Sequence, residues 1–365
     1  MNRVLAPGAD REAVHVGAED EVPPQTFADR ESGLEAAGLE SFKPLRVSVV
    51  VPTYRRPDLL ERCLRALQGQ TLAPDEYEII VCDDGPSEDA RTVVCNAAAM
   101  SGGPAIHYLE ITETQGPAAA RNRGWEHASA PIIAFTDDDT VPDPAWLAAG
   151  LDAMAAGADA VAGRIVMPLP DKPSDIELDA AGLTRAEFVT ANCFLRRDVL
   201  AAVKGFDERF SMAWREDSDL HFTLLEGGYT VVRAPDALVV HPLRSMPFAA
   251  GIGMQKKVVF DVLLYRKHPR LYRERIRQAP PWRYVFISVS LALTLILQLA
   301  GAAALVPFAF TAWGAATLSF FLWRLRHSAW TLRNAGELLV TSIFIPPLSI
   351  YWRLVGAGRY GAGFP

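Results

Sequence analysis

Val47-Ser48-Val49-Val50-Val51-Pro52-Thr53-Tyr54 decides the fold. Val47 to Val51 is a short β-branched run stopped by a proline. Pro57-Asp58 then opens a stretch in which Leu59, Leu60, Cys63, Leu64 and Leu67 recur on one helical face. A strand apolar on both faces, followed at once by an amphipathic helix, reads as the start of a βαβ unit. The alternation repeats downstream. Tyr77 to Cys82 reads as a second strand, ended by Asp83-Asp84-Gly85, and residues 87–100 read as a helix. Ala105 to Leu109 is a third strand, Pro117 to Ala128 a helix and Ile132 to Thr136 a fourth strand. Strands that are runs and not alternations predict a parallel sheet covered on both faces. Ligands of such sheets sit at the carboxyl ends of the strands. Thr53-Tyr54, Asp83-Asp84 and Asp137-Asp138-Asp139 are therefore expected to share one crevice.

Outward from this block, residues 145–241 read as a mixed α/β half. Ala160 to Met167 and Phe188 to Leu195 are strand candidates, 216–226 is a helix, Tyr229 to Val240 holds a strand or two, and the polar interval 168–187 is expected as a loop over the site. Before the block, residues 1–43 carry nine acids, four bases and little periodicity, which predicts a disordered acidic tail over 1–44. No charged start followed by an apolar core appears there, so the folded part is expected to begin in the cytoplasm. The whole chain has 365 residues, enough for two or three structural units, with a formal charge of −7 that argues against a nucleic-acid partner. Cys63, Cys82, Cys95 and Cys193 form no CxxC pair, so they are expected as reduced thiols and not as a structural zinc site.

Polarity collapses near the C-terminus. Residues 256–283 hold nine Lys and Arg against two acids, and Tyr284 to Trp323 is forty residues without Asp, Glu, Lys, Arg or His. One membrane span needs about 20 apolar residues. Gly301 and Pro307 divide the stretch into expected spans near 285–304 and 308–323, with Arg283 before it and Arg324, Arg326 and Arg333 after it. Bases on both flanks fit a hairpin over 284–323 whose ends face the cytoplasm. Leu338 to Trp352 is uncharged over only fifteen residues and contains Pro346-Pro347, so 324–365 is expected to be interfacial or re-entrant. Residues 45–250 are then expected as the α/β domain and 251–283 as basic juxtamembrane helices.

Several residues on this scaffold suit chemistry. Three adjacent carboxylates at a strand end repel one another unless a cation sits among them, and oxygen ligands in a loop suit Mg²⁺ or Mn²⁺. Beside Asp83-Asp84, the Asp137-Asp138-Asp139 run reads as a metal and phosphate site. Glu216-Asp217 opens a helix, where acids are favoured by the helix dipole and where a carboxylate base could also stand. His241 ends a strand and suits a divalent ion through neutral imidazole. Gly116 to Gly124, with Arg121, combines a helix start with cations and can face an anion, although Arg121 equally suits an ion pair. No GK[ST] follows the glycine, and GxGxxG is absent.

The ordered set resembles glycosyltransferase family 2, in its membrane-associated bacterial type. The resemblance is carried by Val49-Val50-Val51-Pro52-Thr53-Tyr54-Arg55-Arg56, Val81-Cys82-Asp83-Asp84-Gly85, Ala119-Ala120-Arg121-Asn122-Arg123-Gly124, Phe135-Thr136-Asp137-Asp138-Asp139 and Arg196-Arg197. Gly205-Phe206-Asp207-Glu208-Arg209-Phe210, Glu216-Asp217-Ser218-Asp219-Leu220 and Val240-His241-Pro242 complete it. It implies a GT-A fold, a Rossmann-like mixed sheet with helices on both faces, and inverting transfer from a nucleoside diphosphate sugar with Mn²⁺ or Mg²⁺. By position, Pro52, Thr53 and Tyr54 would line the nucleotide pocket, and Asp84, with Asp83, would contact base or ribose. Asp137 would lie towards the ribose and Asp139 on the metal, with Asp138 sharing either role. Asp217, with Glu216 beside it, would be the base, and His241 would complete the metal or diphosphate shell. One departure is Thr190-Ala191-Asn192-Cys193, where many relatives carry a glycine before the Asn.

The membrane segment points to a lipid-linked glycan acceptor at the cytoplasmic face of the inner membrane. A polyprenyl-phosphate sugar transferase and an inactive scaffold are the alternatives.

Overall fold

A computed structural model describes residues 44–365, so the tail expected over 1–44 lies, but for Pro44, outside the described residues. Eight strands form one mixed sheet among the described residues, in the order β3-β2-β1-β4-β7-β6-β8-β5. They are β1 (Val47–Thr53), β2 (Tyr77–Asp83), β3 (Ala105–Glu110), β4 (Ile132–Phe135), β5 (Val141–Pro142), β6 (Ala160–Val166), β7 (Cys193–Arg196) and β8 (Val231–Val240). The helices of this part are α1 (Pro57–Gln68), α2 (Glu88–Ala98), α3 (Pro117–His127), α4 (Trp146–Ala155), α5 (Asp175–Ala180), α6 (Arg197–Val203) and α7 (Glu216–Glu226).

The first four strands are parallel, as their apolar runs predict, and every residue of β1 and β2 is buried. Their period-two geometry divides them between two cores. Val47, Val49, Val51, Ile79 and Val81 face α1, α2 and α4, whereas Val50, Ile80 and Cys82 face α3, α6 and α7. Each such side chain contributes about 1.5–3 kcal/mol by leaving water. β7 runs antiparallel between β4 and β6, which makes the second half mixed.

Three local differences from the sequence reading have physical causes. β7 begins at Cys193 and not at Phe188, because Asn192 turns inward. Its amide donates to the Arg164 and Ala237 carbonyls at 2.9 and 2.8 Å and accepts from Trp146 Nε1 at 2.8 Å. The residue after the departure at Ala191 is thus tied into the sheet. The expected loop over 168–187 contains α5, opened by a Ser174–Glu177 capping box, and a further helical turn over Ala181–Arg185. Tyr229 to Val240 yields one strand, with a register shift against β6 between Gly163 and Arg164. Cys63, Cys82 and Cys193 are buried free thiols, and Cys95 is a free thiol on the surface.

After β8 the chain forms helical turns and then α8 (Val259–Lys267), α9 (Trp282–Leu299), α10 (Val306–Arg326) and α11 (Leu332–Tyr360). Among the described residues, the last three are long and apolar enough to cross a membrane. The α9–α10 break falls where expected, with Gly301 at φ 71° after α9 and Pro307 in the first turn of α10. The third stretch extends beyond the expected 338–352 into a single 29-residue helix. Thr331 caps its start by accepting from the Asn334 amide at 3.1 Å. The helix runs through Pro346-Pro347, which removes its bonds to the Ser342 and Ile343 carbonyls. Its buried residues, including Asn334, Leu338, Ser342, Ile345, Ser349, Arg353 and Gly356, recur every three or four positions along its whole length.

Candidate active site

The three aspartates after β4 each meet an arginine. Arg121 of α3 donates to Asp137 Oδ1 at 2.7 Å, Arg56 forms an ion pair with Asp138 Oδ1 at 2.7 Å, and Arg244 lies directly against Asp139. The mutual repulsion foreseen in the sequence is thus answered by guanidinium groups from three separate elements. Asp138 is fully buried and turns towards β1, where the Thr53 hydroxyl donates to it at 2.7 Å. Burial pushes its carboxyl up to about 6, with Arg56 and Thr53 opposing. Against its own burial, Arg121, His241 and Arg56 hold Asp137 below the usual carboxylate range.

Asp137 and Asp139 face the end of β8. Ligand atoms of Asp137, Asp139 and His241 all lie within 4.8 Å of one another, and His241 Nε2 is 3.6 Å from Asp139 Oδ1. Asp139 Oδ1 is buried and has no hydrogen-bond donor. Two carboxylates and one imidazole form a donor set suited to a divalent ion, so these residues fit a metal. Asp137 and Asp139, the two acids paired in the sequence reading, stand together with His241.

The first turn of α7 presents three acids with different partners. Glu216 is buried and accepts from Arg121 at 3.3 Å, so one guanidinium bridges β4 and α7. Asp219 is bound by Lys267 at 2.6 Å and His268 at 3.2 Å. Asp217 has no cationic partner within ion-pair distance among the described residues, and its Oδ1 accepts from the Ser218 amide at 2.6 Å. Burial raises the Asp217 carboxyl above its ordinary value, with the Ser218 amide and Arg215 opposing. Burial and then the neighbouring Asp217 charge push Glu216 up to about 7.

On the other side of β1, Pro52 and Thr53 stand beside Cys82 and Asp83 in register. The Asp83 carboxylate is engaged by the Gly85 and Ser87 amides and the Tyr108 hydroxyl, at 3.0, 3.3 and 2.8 Å. Asp84 accepts from the Gly116 amide at 2.8 Å, so the protein's own carboxylate meets the start of α3. Tyr54 lies across Gly85, where a Cβ would fall 2.6 Å from its ring, and Arg55 stacks on it at 5.2 Å. The exposed ring of Tyr54 is a flat platform at the sheet edge.

A cavity of about 730 Å³ is lined by Arg121, Asp137, Glu216, Asp217 and His241. The apolar Met167, Leu183, Met246, Met254 and Ile276 line it as well. Pro52, Thr53, Tyr54, Asp83, Asp84, Asp138 and Asp139 are not among its lining residues, and Asp84 is bonded to Gly116, at the start of the helix that carries Arg121. The roles of Arg56 and Arg244 were not read from the sequence. Arg56 is the last residue of a quoted motif, and Arg244 lies three residues after His241, so one stood within a signal and the other beside one.

Residues 48–205 match the family profile Glycosyl transferase family 2. The glycosyltransferase AglE of Haloferax volcanii is 30% identical over 227 residues, covering 58% of this chain and 71% of that protein. The GalNAc(5)-diNAcBac-PP-undecaprenol beta-1,3-glucosyltransferase of Campylobacter jejuni is 36% identical over 94 residues, covering 26% of this chain and 29% of that protein. Among solved structures, the mannosyltransferase PcManGT from Pyrobaculum calidifontis, in complex with GDP-Man and Mn²⁺, superposes with a TM-score of 0.52. It is 20% identical, over 90% of this chain and 93% of that one, which establishes a shared GT-A fold. The chain belongs to glycosyltransferase family 2.

Proposed function

We propose that this enzyme transfers a sugar, with inversion, from a nucleoside diphosphate sugar to a hydroxyl of a lipid-linked glycan at the cytoplasmic face of the membrane. One observation carries the reading. Of the three acids in the first turn of α7, Asp217 alone lacks a cationic partner among the described residues, and it lines the same cavity as Asp137 and His241.

In this reading Pro52, Thr53, Tyr54, Asp83 and Asp84 form the nucleotide side, with Tyr54 stacking on the base and Asp83 acting by holding the turn that carries Asp84. Asp137, Asp139 and His241 would hold a divalent ion, which when bound neutralises the departing diphosphate. Arg56, Arg121 and Arg244 supply fixed positive charge around the same acids. Arg121 and Glu216 set α7 against β4. Asp217 accepts the proton of the acceptor hydroxyl as that oxygen attacks the anomeric carbon from the face opposite the diphosphate. The single displacement inverts the configuration and forms no sugar–enzyme bond.

The acceptor assignment draws on the methionine- and isoleucine-lined wall of the cavity and on the membrane-length helices that follow it. It also draws on the relative in Campylobacter jejuni, whose name specifies an undecaprenol-linked acceptor. We assign α9 and α10 to a hairpin in the membrane and α11 to the interface, since its buried stripe runs its full length. A second reading, transfer to a polyprenyl phosphate, is favoured by Lys257. Its amine lies in the cavity wall 3.4 Å from the Ala213 carbonyl, with no carboxylate in ion-pair range among the described residues. Burial lowers its pKa.

The test is incubation of full-length protein with Mn²⁺, radiolabelled UDP-, GDP-, dTDP- and CDP-sugars and membrane lipids, followed by organic extraction. Label on an undecaprenyl-diphosphate glycan supports the main reading, and label on added undecaprenyl phosphate supports the second. No transfer with any donor, together with no nucleotide binding, would leave an inactive scaffold.

A further inference from the structure

One buried carboxylate takes no part in the transfer step described above. Asp261 of α8 is 3% exposed, and its oxygens collect donors from two directions. Oδ1 accepts from Trp214 Nε1 at 3.0 Å and from Arg215 Nε at 2.7 Å. Oδ2 accepts from Arg353 of α11 at 2.9 Å. Trp214 and Arg215 are the two residues that lead directly into Glu216 and Asp217.

Both ends of this link are constrained. Arg215 has φ 77°, a left-handed conformation that a non-glycine residue keeps only where its surroundings over-determine it. Its guanidinium also stacks on the Trp214 ring at 4.7 Å, so the side chain is fixed from two sides. At the other end, Arg353 is as buried as Asp261 and has Asp261 as its carboxylate partner. Three residues further along α11, Gly356 lets that helix rest on α8. A Cβ there would fall 2.8 Å from Val262 Cγ2 and 3.0 Å from the Val259 carbonyl oxygen. Removing one partner of so buried a cluster leaves an uncompensated charge, so the cluster acts as a unit.

We propose that Asp261 is a positioning residue that clamps the Trp214–Arg215 turn to α11 and thereby holds Asp217 towards the cavity. The last membrane-length helix is then part of the catalytic architecture as well as an anchor. The inference rests on the reading of Asp217 as the base. It explains why a turn in an unfavourable backbone conformation immediately precedes that residue. It also gives a use to Arg353, a buried charge directly after the uncharged 338–352 stretch of α11.

The experiment uses full-length protein in nanodiscs, with Asp261→Asn, Arg353→Met and Arg353→Lys. Hydrogen exchange is read at 211–219, 132–140 and 349–360, and donor turnover is measured alongside. In Asp261→Asn and Arg353→Met, exchange at 211–219 is expected to rise about tenfold while 132–140 keeps its wild-type rate. Turnover is expected to fall about 100-fold with the donor KM changed less than about twofold, as for a misplaced catalytic group. Arg353→Lys restores most of both. Exchange that rises only at 349–360, or turnover at the wild-type level in a folded Asp261→Asn, overturns the clamp. If Asp261→Asn does not fold, Arg353→Met decides by the same readings. If the wild type transfers no sugar, the reading of Asp217 fails, and the exchange data still decide whether the turn is clamped.

Discussion

The two acid-bearing regions of the crevice are built differently. At the end of β4, three consecutive aspartates are matched by three arginines, and their backbone is fixed by a strand buried in the centre of the sheet. At the start of α7, three acids lie within four residues, and two are tied down while Asp217 is left without a cation among the described residues. The first arrangement suits binding, because a carboxylate held by fixed charges presents a constant geometry to an ion and a diphosphate. The second suits proton transfer, because a carboxylate already neutralised by a guanidinium would be a weak base. In the proposed mechanism, the unequal pairing of neighbouring acids separates a binding half from a reacting half.

The largest effect that would break this division is expected from Asp217→Asn. Transfer should fall about 10³-fold, within the range seen for loss of a general base, while nucleotide-sugar affinity by calorimetry stays near wild type. Comparable activity in that variant would remove Asp217 from the reacting half. A smaller effect is expected from Glu216→Gln. Its carboxyl, pushed up to about 7 by burial and by Asp217, should contribute an ionisation near neutrality to the pH–rate profile. The substitution should erase that ionisation and keep transfer within about tenfold of wild type. In the proposed mechanism the acid limb is expected from Asp217. Its raised pKa means that activity is lost on acidification at a higher pH than for an exposed aspartate. A profile that keeps its neutral ionisation in Glu216→Gln would contradict the assignment.

The smallest effect concerns stability. Against burial, Asp219 and Glu226 raise the pKa of His268, which packs on α7. A raised histidine stabilises the fold fully below about pH 6.5, its unfolded value, and loses that contribution as pH rises through the folded value. The melting temperature should therefore drop by about 2–4 °C for each kcal/mol lost across that window, a drop absent from His268→Gln. An unchanged slope in the variant would show that the ion pair does not tie the helix down.

The same contrast explains what the sequence made legible. β1, β2 and β4 could be read because burial on both faces writes itself as continuous valine and isoleucine runs. The strand-end rule then gathers Thr53, Asp83 and Asp137 at one edge from order alone. The helix start at Glu216 was equally visible. The partners of its acids were not, because Arg121 lies 95 residues before Glu216 and Lys267 lies 48 after Asp219. No local pattern reports a contact of that span. Arg353 was hidden in another way, since a single charge at the end of an apolar stretch reads as a membrane flank until α8 is seen against it. α11 runs beyond the uncharged 338–352 window at both ends. Its helix is continued past the uncharged window by polar residues that find buried partners, as Asn334 and Arg353 do.

Manganese binding followed by electron paramagnetic resonance, with the nucleotide sugar present, tests the convergence of these distant acids most directly. Wild type and Asp217→Asn should both immobilise one ion. Asp139→Ala and His241→Ala should each weaken its binding about 10–100-fold, as loss of a ligand or its support does. Equal manganese affinity in all four proteins would contradict the account.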